Sequence, residues 1–456
     1  MNGAFWPKSP VWANVEQRNG GFDTENSLRG TTMTSESPLR IARAPLLTTD
    51  HGPNATLAAR GRAQARASSQ YLNTPYGQRI VETWVSALIG KGWNARSNHP
   101  DTTIARALNS DFEAMIWPVL IVMARALVRD GEAFLRLHIT DDGALRLKPI
   151  PVEQIDPTLT RDLGGGARIV SGIELDASDE VVAYHVLPEA PGTPFVTYGE
   201  AVRIPARDML HIFDMLFPGQ MRGLSWVSPV LLKLRDRDDT SDGLLMQVKT
   251  ASLITGFVRD PDGTMAGFDG QQEGGALNVS LEPGAMRVLP TGAEVTFSNP
   301  GDGPTNAVEF LRAQDREIAA GVGLTFEALT GDLTQTNYSS ARVGLVEFRR
   351  RAEMLQRHLI EGQFLRPLWR RWIDLRSLSG DIAATGVALD DYFAVRFVAP
   401  GWQWVDPRNE IEAAARAIEA GLKSREEVVA GRGRDIDELN EEIARDTVQA
   451  TQGDAL

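Results

Sequence analysis

The alternation of apolar and polar positions divides the chain into blocks. Over 75–90, Ile80, Val81, Trp84, Val85 and Leu88 recur at helical spacing, with Pro75 near the start and Gly90 near the end. The Ala- and Arg-rich stretch 56–74 predicts a helix before it. Residues 102–131 predict two helical pieces, broken near Pro118 and closing at Gly131. From 132 the period falls to two: "EAFLRLHITDDGALRLKPI" alternates about a DDG turn, and "RIVSGIELDASDEVVAYHV" and "VRIPARDMLHIFDM" follow in kind. Residues 132–217 therefore read as a small β-rich unit packed on the preceding helices.

A helix is predicted over 223–252, with Ser228 as its cap, Pro229 in its first position and Leu231, Leu232 and Leu234 opening its apolar face. Glycine-rich residues 253–303 predict short strands and turns, such as "AMRVLPTGAEVTF". A second helix, 305–323, carries Val308, Leu311, Ile318 and Val322 on one face and ends at glycine. The polar run Thr334, Gln335, Thr336, Asn337, Tyr338, Ser339, Ser340 comes next. After it a helix of about ten turns runs from Ser340 to Arg376, with kinks expected at Gly362 and Pro367. Residues 391–407 read as a strand pair or turn, and the tail as acidic helices. The first sixty residues show no sustained period and read as an extended arm.

With 456 residues the chain exceeds one ordinary core, so two to four domains are expected. The apolar run "WPVLIVMARALV" at 117–128 already contains Arg125 and is far short of the ~20 residues of a bilayer span. It reads as a buried helix, and no membrane segment or secretion signal is expected. The absence of cysteine excludes disulfides, zinc–thiolate sites and thiol nucleophiles. A net charge of −13 disfavours tight wrapping of nucleic acid, yet suits a protein past which nucleic acid must slide.

Candidate chemistry is sparse. The six histidines form no HxH or HExxH spacing, and neither a metal nor a cofactor is expected. "DLGGGAR" lacks the lysine and the context of a phosphate loop, and "GRGRD" at 431–435 reads as a turn between tail helices. The acids of "RDRDDTSDG" (235–243) read as a solvated helix face. Residues 342–376 hold nine arginines against four acids. Arg342, Arg349, Arg350 and Arg351 are candidates for inter-subunit pairing or for facing DNA, and pairing is the favoured reading. Trp369, Trp372, Trp402 and Trp404 read as core or interface anchors.

"IAAGVGLTFEALTGDLTQTNYSSARVGLVEFRRR" and "GWQWVDPRNEIEAAARAIEAGLKSREEVVAGRGRDIDELNEEIARD" resemble portal proteins of tailed bacteriophages, lambda type, as carried by phages, prophages or gene transfer agents. The order of "GLSWVSPVL", the glycine-rich excursion, the "NYSSAR" block and the "WVDP" tail matches as well, over roughly residues 60–446. The resemblance implies an α+β, predominantly helical fold with wing, stem, clip and crown, assembled as a ring of probably twelve copies at one capsid vertex. Double-stranded DNA would pass through the ring, which would dock the large terminase subunit and then the head–tail adaptor, and would meet the major capsid or scaffolding protein. The expected location is the virion, after assembly in the bacterial host cytoplasm, with no enzymatic activity.

Mapped by order, 1–59 is an arm, 60–222 the wing, 223–252 and 304–323 the stem helices, and 253–303 the clip. Residues 324–339 become the tunnel loop, 340–400 the long kinked helix that completes the wing, and 401–456 the crown. Thr334, Gln335, Thr336, Asn337 and Tyr338 would line the narrowest part of the channel. Uncharged hydroxyls and amides suit weak contact in any register, whereas lysine or arginine there would hold phosphates by counterion release. Ser339 or Ser340 would cap the following helix, and Asp332 would repel DNA more than grip it. The alternatives are another virion structural or adaptor protein, typically much shorter, and a hydrolase using Asp156, Asp214 and Asp315, which nothing in the sequence pairs.

Overall fold

The computed structural model describes residues 56–453, except 141–142, 193–198, 335–337, 381–387, 404–405 and the connections between short strands within 254–302. The chain is α+β and predominantly helical. Helices α1 (Thr56–Asn73), α2 (Pro75–Ile89) and α3 (Thr102–Asp130) come first, with strand β1 (Asn94–Ser97) between the last two. Thr74 caps α2 through Gly77 N–H, and Asp101 caps α3 through Thr103 and Ile104. Helix α3 is unbroken, contrary to expectation. Pro118 lies on its exposed face, where a carbonyl deprived of its partner meets water. Phe112, Ile116, Leu120 and Met123 hold both halves of α3 to the core.

Gly131 ends α3 at φ +90° and turns the chain into β2 (Glu132–Ile139). A hairpin joins β2 to β3 (Leu145–Ile150), and β9 (Met209–Phe213) pairs with the other edge of β2, all antiparallel. Between them β4 (Arg161–Gly164), β5 (Ala167–Val170), β6 (Ile173–Leu175), β7 (Val181–Val186) and β8 (Val202–Pro205) form an antiparallel meander. Strand β2 is the seam between two apolar clusters. Ala133, Leu135 and Leu137 point into the helical core, and Phe134 points into the smaller core of the meander.

Helix α4 (Leu231–Leu253) starts later than expected. Ser228 does not cap it: a 3-10 turn, Ser228–Val230, precedes the helix, and the Ser228 hydroxyl is buried without a hydrogen-bond partner among the described residues. Ser225 supplies the local hydroxyl instead, accepting from Val227 N–H. The excursion that follows contains β10 (Phe257–Arg259), β11 (Gln271–Glu273), β12 (Ala276–Asn278) and β13 (Arg287–Leu289), paired β10–β13 and β11–β12. Helix α5 (Gly303–Val322) packs on α4, and a short helix α6 (Phe326–Thr330) occupies part of the expected loop.

The long helix runs from Tyr338 to Ser379 as α7 (Tyr338–Leu355), a π-helical stretch (Gln356–Leu365) and α8 (Arg366–Ser379). Ser339 and Ser340 therefore lie inside the helix and do not cap it. The disturbance expected at Gly362 and Pro367 takes the π form. Pro367 has no N–H for the carbonyl four residues back, and a five-residue register (Arg366 N–H to Glu361 O) takes the chain past it. Gln356 donates to Ala87 O at 2.7 Å and Gln363 accepts from Phe213 N–H at 3.1 Å, anchoring the stretch on both sides. Helix α9 (Leu389–Phe393) and β14 (Val395–Val398) follow, and β14 pairs with β1 rather than with a local strand. Trp369 and Trp372 pack around Phe112, as anchors should. Helices α10 (Pro407–Glu419), α11 (Arg425–Ala430) and α12 (Ile436–Gly453) complete the chain.

A carboxylate sits where these layers meet. Glu132 is fully buried and receives Arg222 through Nε and Nη2 at 2.7–3.1 Å, Arg60, His211 Nε2 at 3.0 Å and Gly223 N–H at 2.8 Å. Arg222 also donates to Ser171 O and Val152 O. Two glycines make room: a Cβ on Gly131 would lie 2.0 Å from Leu224 C, and one on Gly223 would lie 2.1 Å from Gly131 O. Burial alone would raise the Glu132 pKa, but the charges of Arg222 and Arg60 hold it well below 4.5. Burial lowers Arg60 to about 10 and His211 below 6.5, the latter against the opposing pull of Glu132.

Both Glu132 and His211 bind fewer protons folded than unfolded in acid, so stability must fall with pH. The His211 contribution is complete above about pH 6.5 and is lost below it; that of Glu132 is complete above about 4.5 and is lost as pH falls toward its depressed folded value. Thermal melting should be flat from about pH 7 until the approach to the Arg60 titration near 10, and should decline in these two steps on the acid side. His211→Gln should flatten the first step, and an unchanged slope would refute this assignment. Glu132→Gln strands two buried guanidinium groups and should cost about 3–5 kcal/mol at pH 7.

Candidate functional site

The root of the polar loop is built on three helices. Helix α5 ends at Gly323, whose φ is +70°. Thr325 then caps α6, accepting from Ala328 N–H at 3.1 Å. Arg79 of α2 donates to Ala328 O at 2.8 Å, and Trp84 Nε1 donates to Val322 O at 3.0 Å, fastening the α5–α6 corner to α2. Gly331, at φ +74°, ends α6.

Asp332 follows, and its carboxylate is fully engaged. Oδ1 accepts from Thr334 N–H at 2.9 Å and Thr334 Oγ1 at 2.5 Å, and Oδ2 accepts from Arg312 Nη2 at 3.1 Å. Hydrogen bonds from the Thr334 hydroxyl and amide, then the Arg312 charge, hold its pKa below the usual range. Asp332, expected to repel DNA, has its charge paired with Arg312. Thr334 is exposed. Gln335, Thr336 and Asn337 lie outside the described residues, and Tyr338 is the first residue of α7.

The four arginines nominated on α7 do not form one patch. Arg349 donates to Gln403 O at 2.7 Å and lies 5.5 Å from the Trp402 ring centre; burial lowers its pKa. Arg351 lies 5.5 Å from the Trp84 ring centre, and its guanidinium fills the space that a side chain on Gly323 would take. Arg342 and Arg350 are exposed. None of the four forms an ion pair with another described residue, so the favoured pairing is not seen among the described residues. Arg342 and Arg349 instead flank a cleft of about 530 Å³ between α7 and α10–α11, shared with Glu410, Lys423 and Glu427.

Sequence reasoning missed a second cluster, in the turn "GRGRD". Asp435 is 4% exposed and caps α12 through Asp437 and Glu438 N–H. It also faces two arginines of the β1–β14 pair. Arg96 Nε is 3.1 Å away, out of line for a hydrogen bond, and Arg396 Nη2 is 3.6 Å away. Arg96 reaches Glu438 at 2.7 Å, Arg396 pairs with Glu426, and Arg106 of α3 pairs with Glu441. Beside this clasp Gly433, at φ +70°, abuts Gly401 so closely that a Cβ would lie 2.5 Å from Gly401 N. An acid directly before a helical pattern signals a cap; its distant arginines leave no local signal. In α10 and α11 no residue is fully buried, and the ion pairs and the Gly401–Gly433 contact add to the half-buried apolar contacts that tie the tail helices to the body.

Asp435→Asn preserves the cap but removes the charge facing Arg96 and Arg396. Amide protection in α10–α12 should fall about 100-fold by hydrogen exchange, equivalent to roughly 3 kcal/mol. Protection in α3 and α8 should remain. Equal loss in body and tail would contradict a separable tail.

Comparison with known proteins places these features in a family. Residues 46–356 match the family model described as phage portal protein, lambda family. A probable portal protein of Halomonas phage phiHAP-1 is 27% identical over 418 residues, covering 84% of this chain and 79% of its own. Portal protein B of Escherichia phage lambda is 22% identical over 364 residues, covering 70% and 66%. Among solved structures, a chain from the neck of an empty gene transfer agent particle has a TM-score of 0.41 at 16% identity, covering 81% of this chain and 93% of that one. An HK97-family phage portal protein from Corynebacterium diphtheriae has a TM-score of 0.30 at 12% identity, covering 76% and 97%. With its match extending over more than half its length, the chain belongs to the lambda family of phage portal proteins.

Proposed function

We propose that this protein forms the ring at one capsid vertex through which double-stranded DNA is packaged and ejected, a structural role without catalysis. The observation that carries this reading is the family match over 46–356, which runs through α4, the excursion, α5, the polar loop and α7. In this reading α4 and α5 form the stem and the excursion between them is the clip. The clip meets the large terminase subunit and later the head–tail adaptor. The wing comprises the helices and sheets of 60–222 with the long helix, and α10–α12 form the crown. The ring contains twelve copies, contacts the major capsid or scaffolding protein, and assembles in the bacterial cytoplasm before residing in the virion.

The loop 334–338 lines the channel. A net charge of −13 disfavours a tight hold on phosphates, and uncharged side chains at the constriction exchange partners without holding the duplex. Arg342 and Arg350, exposed and without an acidic partner among the described residues, belong to the contact between copies or to the channel wall.

Electron microscopy of the purified protein should show rings with a central hole wide enough for a duplex. Monomers or dimers at every concentration, with and without capsid components, would overturn the proposal. Within intact rings, Gln335→Ala with Asn337→Ala should reduce the packaging rate. Thr336→Lys should slow DNA transit at low salt and recover as salt rises, because each added phosphate contact steepens the salt dependence. Normal transit in both variants would remove the loop from the mechanism.

A further inference from the structure

Leaving the stem, the chain turns at Gly323, forms α6, turns again at Gly331 and arrives beside Arg312. Arg312 lies ten residues before the end of α5, about 15 Å down its axis. The loop therefore departs alongside the stem and not from its tip. Two side-chain contacts hold its root: the Asp332 amide donates to Thr330 Oγ1 at 3.1 Å, a local bond within the turn, and among the described residues Arg312 alone ties that turn to α5. Upstream, Gly331 has a positive φ and open space where a Cβ would be, so its own packing does not restrain a swing. Downstream, Asp332 clamps Thr334 with one oxygen and Arg312 with the other.

We propose that Arg312 and Asp332 are positioning residues, which set the direction in which the channel loop leaves the stem without themselves touching DNA. This inference rests on the portal reading above. The Asx turn at Asp332–Thr334 makes the loop root one rigid unit, and Arg312 ties that unit to α5. Both side chains are about one-third exposed, at 31% and 28%. Such a pair contributes little to overall stability but biases a local orientation. In a ring that bias repeats in every copy, so a weak pair can keep a constriction centred.

The absence of cysteine makes the test direct. Thr336→Cys and Glu309→Cys, on the loop and on α5, allow a spin-label distance to be measured in full-length protein, with labelled copies diluted among unlabelled ones. Around the otherwise native pair the distance distribution should be narrow. Arg312→Ala should depopulate its main peak roughly two- to fivefold, and Asp332→Asn, which can keep the turn while losing the charge, should do the same. The exchanged pair, Arg312→Asp with Asp332→Arg, should restore the peak. Melting temperature and ring formation should be unchanged in all of them. Raising salt should broaden the distribution with the native pair and leave that of Arg312→Ala as it is.

An unchanged distribution in Arg312→Ala, or no recovery in the exchanged pair, overturns the positioning role. Packaging assays on the same variants without labels separate the two readings. A shifted loop with packaging unaltered supports positioning while denying the loop its DNA contact. Parallel changes, with recovery in the exchanged pair, support both.

Discussion

The buried charge of Glu132 is the constraint on which the rest of the body depends. A carboxylate cannot be removed from water without compensation, and here the compensation comes from residues at 60, 211, 222 and 223. Those residues belong to α1, to β9 and to the loop that leads into α4. Satisfying one side chain therefore requires the first helix, the three-stranded sheet and the approach to α4 to be in place together. The contact of Gly131 with Gly223 and Leu224 follows from the same requirement, since any larger residue would hold the loop away from the carboxylate. Because β2 begins at Glu132 and divides its side chains between two cores, the network also sets the register of the seam.

Local punctuation was legible in the sequence. Pro75 with Gly90, Gly131 and Gly323 mark element ends through constraints that act within a few residues, and α2, the end of α3 and the end of α5 fall where they predict. Pro118 was misread because a proline's effect depends on the face it occupies, which the core decides. Ser228 was misread because Ser225 competes for the same turn. The pairing of β14 with β1 joins segments 300 residues apart, beyond the reach of any local pattern. The loop residues could be nominated by their lack of charge, yet the roles of Asp332 and Asp435 could not. Each looks like an ordinary turn or cap acid until Arg312, Arg96 and Arg396 are brought up to it by the tertiary fold.

Arginine does different work in three environments. At Glu132 it is desolvated, and its forked donors satisfy both the carboxylate and backbone carbonyls. On α7 it lies over aromatic rings, with Arg349 against Trp402 and Arg351 against Trp84, so the basic stretch that suggested a nucleic-acid surface is partly used for packing. At Asp332 and in the tail clasp it bridges segments at the surface or close to it. These arginines are thus committed to contacts within a chain whose net charge is −13.

These environments respond differently to solution conditions. The Glu132 network is shielded from counterions and changes only at pH values where its groups gain or lose protons. The Arg312–Asp332 pair and the outer members of the clasp are open to salt, which weakens them without disturbing the core. One chain therefore combines a body whose geometry is insensitive to ionic strength with a loop root and tail helices that are sensitive to it.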